Sequence, residues 1–388
     1  MDLTLTEDQE LIRTTAADLL RSRAETAGVR AVRRAEGSAG ATRSDAASGY
    51  SAQLWKELVE LGWPGLAISE EHGGVGVGWL ELCLVIEQLG AAQVPSPLLI
   101  TSGCVAPVLD RFAGPANRAR LSAIASGAPI TYARAAPGGD WGAATSTVVA
   151  VPSADGFTLT GEAQFVPFAA DADAVLVAAQ ADQGLTVFLV DINRMSGLTV
   201  SAMDVVGPDP LYRVRCSEVA VSGVDVIGEL GGGAEVITAL EAFGAAASCA
   251  EMIGGAQRVL DMTVEYSGQR EQFGRAIGSF QAVQHHCADM AVDVLGARFI
   301  GYEAIWRLAE GVDSAEEIAL TVAAAKAWVS EAYERVCARG QQVHGAIGYT
   351  AEHDIHLYTT HAMATALRFG DGEFHLDRVA EGIGLPGA

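Results

Sequence analysis

The sequence predicts an α+β fold that is mainly α-helical, with a helical N-terminal domain, a middle β-barrel and a C-terminal four-helix bundle. Apolar residues recur at helical spacing up to about residue 130, alternate with polar residues from about 145 to 229, and then return to helical spacing. With 388 residues, half of them apolar, the chain can bury the cores of two or three domains. We place these domains at residues 1–130, 131–230 and 231–388.

Two amphipathic patterns predict the first helices of the N-terminal domain. Apolar residues recur at helical spacing at positions Leu11, Ile12, Leu19 and Leu20. They do so again at Leu54, Leu58 and Leu61. The segment Gly62-Trp63-Pro64 ends the second pattern, and a third helix is expected from Trp79. The N-terminal segment is typical of an acidic-capped helix and not of a secretion signal, so we expect a cytoplasmic location.

A glycine-rich loop, EHGGVGVG at 71–78, raises a dinucleotide-binding hypothesis. Glycines allow backbone amides to approach a phosphate closely, as in the GxGxxG motif of βαβ units. That motif requires a preceding strand, whereas the short segment LAIS at 66–69 follows a predicted helix. The sequence therefore favours a structural turn at this loop.

The middle of the chain predicts a compact β domain. Between about residues 145 and 229, short runs of alternating apolar and polar residues are separated by Gly, Pro, Asn or Asp. The runs are STVVAV, FTLTG, DAVLVAA, LTVFLVD, YRVRC and VAVSGVDV. Several short strands in so little sequence indicate a barrel or a sandwich.

Three long helical patterns after Gly233 predict the bundle. They are AEMIGGAQRVLDMTVEYSGQ, FQAVQHHCADMAVDVLGARFIGYEAIWRLAEG and AEEIALTVAAAKAWVSEAYERVCARG. Such lengths suit an antiparallel four-helix bundle, and the many Ala and Gly residues allow close helix packing within or between subunits.

Composition argues against several classes of function. A formal net charge of −23 disfavours a nucleic-acid partner, because phosphate binding requires clustered Lys and Arg. Apolar runs are interrupted well before the ~20 residues that a membrane crossing needs, so no membrane span is expected. The six cysteines form no CxxC pair and are predicted to be buried free thiols.

The segment REQFGRAIGSFQAVQH at 270–285 groups side chains that can hold a pyrophosphate. Arg270 supplies a guanidinium, Gln272 an amide and Phe273 an aromatic ring, while Gln281 opens the next helix. Surface Arg and Gln residues at a helix end are also ordinary solvated caps, and the segment alone does not distinguish the two roles.

A second segment, QVHGAIGYTAEHDIHLY at 342–358, follows a long helix. Gly345 and Gly348 are spaced so that the backbone after Gln342 can approach a ligand closely. The four histidines at 344, 353, 356 and 361 raise a metal-site alternative. Neither an HExxH arrangement nor a cysteine pair supports it, so no metal is predicted.

Taken in this order, after a helical and a β domain, the two segments resemble those of the acyl-CoA dehydrogenase family. The matching stretches are GWPGLAISEEHGG at 62–74, REQFG at 270–274, FQ at 280–281, ADM at 288–290 and QVHGAIGY at 342–349. The resemblance implies FAD bound non-covalently at a subunit interface. It also implies desaturation of an acyl-CoA substrate: a base takes the α-proton, hydride passes to the flavin, and electrons leave to an electron-transfer flavoprotein.

The resemblance assigns seven residues, which we call the nucleotide grip, to the diphosphate and adenosine part of FAD. They are Arg270, Gln272, Phe273, Gln281, Gln342, Gly345 and Gly348. In the family these positions reach the FAD of the neighbouring subunit, so this chain is expected to help complete a partner's site.

The segments expected to cover the flavin ring differ from the family pattern. Phe165 and Pro167 stand where the family carries a Trp and a Thr, and proline offers no hydroxyl or N–H to the flavin. The stretch YARAAPGGDWG at 132–142 stands where a Thr-Glu-Pro-Gly-like loop is usual.

Neither position at which family members carry the catalytic Glu holds a carboxylate. Counting without gaps places Phe369 at one position and Gly244 at the other. Asp371 and Glu241 are the remaining candidate bases, and for both an exposed or capping carboxylate is the alternative interpretation.

An intact grip with altered base positions resembles one subunit of the actinobacterial heterotetramers that shorten sterol side chains. In these, two unlike subunits share each FAD site, and the partner brings the base. We therefore expect a dehydrogenase subunit whose catalytic Glu comes from a second dehydrogenase-like chain. A self-sufficient homo-oligomer using Asp371 or Glu241, and a non-catalytic structural partner, are the alternatives.

Overall fold

A computed structural model of the chain describes residues 4–28, 49–135, 146–311 and 313–385. Helices come first, a sheet follows, and long helices complete the chain. One apolar core runs through both helical parts, while a second core lies within the sheet. The predicted mainly helical α+β fold is confirmed.

Six α-helices lie in the described residues of the N-terminal part, and the first of them begins at a capping box. Thr6 accepts a hydrogen bond from the Gln9 amide (3.2 Å), and the Gln9 side chain accepts one from the Thr6 amide (3.0 Å). Gly62, left-handed at φ +74°, follows the second helix as predicted. The helices are α1 (Glu7–Ala27), α2 (Ala52–Glu60), α3 (Trp79–Ala92), α4 (Ala106–Phe112), α5 (Pro115–Arg118) and α6 (Arg120–Ala125).

The glycine-rich loop at 71–78 joins a short 3-10 turn, Glu70–His72, to α3 and follows no strand. The Val75 and Gly76 amides donate to backbone carbonyls of residues 65 and 68, each at 2.9 Å. A Cβ on Gly74 would collide with the Ile68 carbonyl. The glycines therefore allow backbone segments to pack closely, as expected for a structural turn.

The middle of the chain forms one eight-stranded sheet. Its order is β6-β7-β3-β2-β4-β5-β8, with β1 pairing in parallel with β4, and this path stays open among the described residues. The two runs YRVRC and VAVSGVDV, predicted as separate strands, largely merge into β7 because neither Gly nor Pro stands between them. The strands are β1 (Ile130–Ala133), β2 (Val149–Ser153), β3 (Gly156–Pro167), β4 (Ala174–Ala181), β5 (Gly184–Asp191), β6 (Leu198–Ala202), β7 (Leu211–Ser222) and β8 (Val226–Ile227).

Long helices and a small hairpin complete the fold. The central helix α9 packs against the four others, and all six cysteines of the chain are free. Ser314 caps α9 through a capping box, and Gly311, at φ +61°, ends α8. The elements are α7 (Gly233–Gln269), β9 (Glu271–Gln272), β10 (Arg275–Ala276), α8 (Gln281–Glu310), α9 (Ala315–His344), α10 (Ile355–Leu367) and α11 (Gly372–Gly382).

Helix α7 is the core helix of this half of the molecule. Within the described residues it alone has the length and composition that a membrane crossing would need, but 72% of its apolar window is buried inside the protein. Its apolar character is thus explained by contacts with α3, α8, α9 and α10.

A buried ion pair joins the N-terminal helices to the bundle. Both carboxylate oxygens of Glu87 on α3 accept hydrogen bonds from the Arg298 guanidinium on α8, at 2.9 and 3.1 Å. The Tyr302 hydroxyl donates to the same carboxylate. Because a buried carboxylate requires such partners, this cluster specifies how the two parts pack.

A second buried charge, Lys326 on α9, holds the C-terminal end of α10. Its ammonium group donates to Ser330 Oγ (3.0 Å) and to the backbone carbonyls of Thr365 (3.2 Å), Ala366 (2.9 Å) and Gly370 (3.1 Å). Helix-end carbonyls lack intrahelical donors, so the lysine satisfies groups that would otherwise be orphaned. Burial lowers the pKa of Lys326 to about 8 from its ordinary 10.5.

We predict that Lys326 makes stability rise with pH in the alkaline range. Between pH 8 and 10.5 the unfolded chain retains a proton at Lys326 that the folded chain has lost, so higher pH favours folding. The free energy of unfolding of the wild type minus that of Lys326→Met should increase by roughly 3 kcal/mol across this window.

Urea denaturation at pH 8, 9 and 10 measures this difference. Lys56→Met is the matched control, because the Lys56 side chain is 72% exposed and the corresponding difference should stay flat. If the wild type and Lys326→Met differ by the same free energy of unfolding at all three pH values, the lowered pKa of Lys326 is contradicted.

Candidate active site

A tight hairpin presents the first half of the nucleotide grip. Strands β9 and β10 pair antiparallel around a two-residue turn, Phe273 at φ +56° and Gly274 at φ +79°. Positive φ at both turn residues is the geometry that two-residue hairpins favour. It leaves the Phe273 side chain 92% exposed at the tip, with its ring 6.1 Å from that of Phe280.

The polar grip side chains are exposed and mostly uncommitted. Within the described ranges, the side chains of Arg270, Gln281 and Gln342 have no hydrogen-bonding or ionic partner, and Gln272 donates only to the adjacent Glu271 carbonyl (2.7 Å). A guanidinium and three amides free to donate are chemically suited to a diphosphate.

The turn after α9 presents the second half. Gly345, at φ +62°, has open space where a Cβ would lie, whereas a Cβ on Gly348 would collide with the Gln341 side chain. The side-chain oxygen Oε1 of Gln341 and Nε2 of His344 are buried and have no hydrogen-bonding partner in the part of the chain that the structure describes. Glycine at 345 suits the positive φ, and glycine at the buried position 348 leaves room for the Gln341 side chain.

Aromatic stacking brings the two halves together. The Tyr266 ring, one turn before Arg270, stacks on the His344 ring beside Gly345, with centroids 4.5 Å apart and planes 17° from parallel. His353 also packs against both rings. The structure therefore places both halves of the grip at the same end of the bundle.

The two family base positions also meet, at the other end of α7. Phe369 is fully buried, and a Cβ built on Gly244 would overlap its ring. The Tyr132 ring of β1 packs on the other side, at a centroid distance of 5.5 Å. An aromatic ring thus occupies the space between the two positions, and neither supplies a proton acceptor.

Glu241, one helical turn before Gly244, is buried and not exposed. Its carboxylate lies 2.6 Å from the Arg134 guanidinium and accepts a hydrogen bond from Arg378 at 3.1 Å. Burial raises the pKa of Glu241, and the two arginines oppose this rise. A carboxylate held by two guanidiniums is committed to a structural cluster.

Asp371 is exposed and caps α11. Its side chain accepts a hydrogen bond from the Phe374 amide at 2.9 Å, which is the usual N-cap arrangement. This observation favours the capping interpretation of Asp371.

A further ionic cluster surrounds the segment before Phe369. The Arg368 guanidinium donates to Glu251 on α7 (2.9 Å) and to Asp209 in the loop before β7. Burial opposes ionisation of Glu251, but Arg368 and His361 outweigh it and hold the pKa of Glu251 at about 2. The cluster joins the sheet, α7 and α10.

The expected flavin-facing segment lies next to this region. Phe165 is partly exposed at φ +56°, and the Pro167 carbonyl accepts a hydrogen bond from the Thr131 hydroxyl at 2.6 Å. Residues 136–142 of the stretch YARAAPGGDWG lie outside the described residues.

Helix α7 separates the grip from the base positions. Gly244 lies within it and Arg270 directly follows it, so the 26 helical steps from Gly244 to Arg270 span about 39 Å at 1.5 Å per step. The grip and the base region of one chain are therefore well separated.

Sequence reasoning did not identify Arg134, Arg378, Arg368 or Lys326 as residues of this region. An available signal was charge in apolar surroundings: Lys326 interrupts the run VAAAKAWV, and Arg134 follows the buried strand β1. The signal is weak because long cationic side chains usually reach solvent from such positions.

The chain matches family models and known proteins over most of its length. Family models for the acyl-CoA dehydrogenase N-terminal domain and C-terminal domain match residues 6–128 and 231–384. The acyl-CoA dehydrogenase FadE27 of Mycobacterium tuberculosis is 33% identical over 85% of this chain and 87% of its own length. The acyl-CoA dehydrogenase IpdE2 of Mycolicibacterium smegmatis is 31% identical over 97% and 98% of the two lengths.

A solved structure extends the comparison to three dimensions. A chain of the ChsE4-ChsE5 complex from Mycobacterium tuberculosis superposes with a TM-score of 0.86, is 29% identical, and is matched over 100% of both chains. The chain belongs to the acyl-CoA dehydrogenase family, whose members are FAD-dependent oxidoreductases.

Proposed function

We propose that this chain is a subunit of an FAD-dependent acyl-CoA dehydrogenase that contributes the nucleotide grip to a site shared with a base-bearing partner chain. The observation that carries this proposal is that neither base position holds a carboxylate and that the buried Phe369 ring fills the space left by Gly244, while the grip, about 39 Å away along α7, is exposed. The grip is exposed at one end, and the base region at the other end has no carboxylate. A catalytic site that uses this grip therefore needs a second chain to supply the base.

In this proposal the grip residues bind and orient the cofactor. Arg270 neutralises diphosphate charge, the side-chain amides of Gln272, Gln281 and Gln342 donate hydrogen bonds, and the Gly345–Gly348 turn allows backbone amides to come close. FAD, when bound, accepts the hydride that leaves the substrate's β-carbon. The exposed Phe273 ring would pack against the partner and exclude water from this contact.

The partner in this proposal supplies the proton acceptor. The matched structure is a complex of two proteins, ChsE4 and ChsE5. This likeness supports assembly of the present chain with a second dehydrogenase-like chain rather than with copies of itself. An acyl-CoA thioester is then the substrate and an electron-transfer flavoprotein the acceptor. Domain boundaries near residues 130 and 230 are part of the same proposal.

We predict that flavin binding and turnover require both chains. The protein purified alone should carry little flavin absorbance and show no acyl-CoA-dependent dye reduction, whereas coexpression with a base-bearing partner should give both. The readouts are flavin absorbance per chain and the initial rate of dye reduction. Stoichiometric flavin together with full activity from the single chain would refute the shared site.

A substitution at Arg270 tests the grip in the assembled complex. Arg270→Ala removes a charge-assisted contact worth about 1.5–3 kcal/mol, so the FAD dissociation constant should increase about 10- to 100-fold. Flavin fluorescence released on dilution measures this change. Arg194→Ala is the matched control, because that side chain is 83% exposed on the sheet domain.

The Arg270 experiment also separates catalysis from a purely structural role. Unchanged FAD affinity and unchanged turnover in the complex containing Arg270→Ala would favour the alternative in which this chain only stabilises its partner.

A substitution at Asp371 tests the self-sufficient alternative. Asn caps a helix as well as Asp does, so Asp371→Asn should leave the fold and the turnover of the complex unchanged. Loss of turnover with FAD retained would instead identify Asp371 as the base. Glu241 is the weaker candidate, because Arg134 and Arg378 already engage its carboxylate.

A further inference from the structure

We propose that Phe369 is an occluding residue, whose ring fills this chain's own acyl cleft and excludes acyl thioesters from it. The inference rests on the proposed function, because it explains why the grip would serve a partner's site while this chain's cleft stays closed. The chain would therefore bind acyl-CoA only through a site that the partner completes.

The ring and the glycine opposite it form a complementary pair. Phe369 is fully buried, and any side chain at position 244 would overlap its ring. Gly244 therefore provides the space that the phenyl ring occupies, against the Tyr132 ring at 5.5 Å. The space between α7, β1 and the segment after α10 is thus filled by protein side chains.

The backbone around the ring is held on both sides. Phe369 adopts φ +59°, which is uncommon for a bulky residue, and Gly370 follows at φ +97°. The His375 ring is 2.9 Å from the Phe369 carbonyl, and Lys326 donates to the Gly370 carbonyl at 3.1 Å. Such anchors keep the ring in the cleft and distinguish it from a mobile lid.

Buried ion pairs close the two sides of the ring. Arg368, immediately before Phe369, is held by Glu251 and Asp209. One turn before Gly244, Glu241 lies between Arg134 and Arg378. Because loss of one partner of a buried pair is costly, these pairs hold in place the segments that carry Phe369 and Gly244.

Removal of the ring should create an apolar cavity. A cavity left by a large apolar side chain stays dry and accepts small apolar molecules. In Phe369→Ala this cavity would lie between the two family base positions, where the resemblance places the reacting carbons of an acyl thioester.

The experiment measures binding of octanoyl-CoA and of benzene to the full-length chain by calorimetry. The wild type should bind neither ligand in its cleft, whereas Phe369→Ala should bind benzene and should bind octanoyl-CoA at least about tenfold more tightly than the wild type. Phe188→Ala is the matched control, because Phe188 is an equally buried phenylalanine in the core of the sheet. This control should bind no more octanoyl-CoA than the wild type.

Three outcomes would overturn the proposal. They are octanoyl-CoA binding by the wild-type chain with the affinity of Phe369→Ala, no gain in Phe369→Ala, and a gain of benzene binding without a gain of octanoyl-CoA. If Phe369→Ala does not fold, Phe369→Leu and the wild-type measurement still decide the question. The dependence of FAD affinity on Arg270 in the complex is measured separately, so failure of the occlusion and failure of the shared site are distinguishable.

Discussion

The length and continuity of helix α7 constrain everything else in this molecule. It runs unbroken from Gly233 to Gln269 and is packed on several sides by other helices. A buried helix of this kind cannot shorten or bend without losing packing, so its two ends stay far apart. The grip and the two base positions therefore stay at fixed and well-separated places along one helix.

The two ends of α7 differ in whether their arginines are paired with carboxylates. At the cleft end, arginines are buried against carboxylates, as in the cluster of Arg134, Glu241 and Arg378. At the grip end, Arg270 is exposed without a partner among the described residues. The chain as a whole carries a formal net charge of −23, so its net charge does not by itself attract an anion. An anion that approaches the grip end can bind the Arg270 guanidinium, whereas the arginines named at the cleft are already paired with carboxylates.

Buried ion pairs at the cleft contribute more to geometry than to stability. Desolvation offsets much of the attraction within a buried pair, but the loss of one partner is costly. The pairs of Arg368 with Glu251 and Asp209 therefore specify how the sheet, α7 and α10 meet around Phe369. The same reasoning applies to Glu87 and Arg298, which align the N-terminal helices with the bundle.

Much of the fold and half of the site could be predicted from the sequence, because these depend on local patterns. Hydrophobic periodicity determined the order of helices, sheet and bundle, and turn residues such as Gly62 and Gly311 determined where helices end. The family resemblance assigned the grip to the segments after Arg270 and Gln342, and the Tyr266–His344 stacking places these two segments at one end of the bundle. The predicted split of β7 was wrong because pairing with β3 resumes after a register shift between Leu159 and Gly161, so both runs belong to one strand.

The state of the cleft was decided only by the tertiary structure. Sequence counting identified Phe369 and Gly244 as separate positions without carboxylates, and nothing local indicated that one ring fills the space left by the other. Glu241 was a candidate base, with an exposed or capping carboxylate as the alternative, but it is buried between Arg134 and Arg378 from distant segments. Contacts between residues more than 100 positions apart leave no periodic trace in the sequence, since they form only when the sheet packs against α7 and the segment after α10.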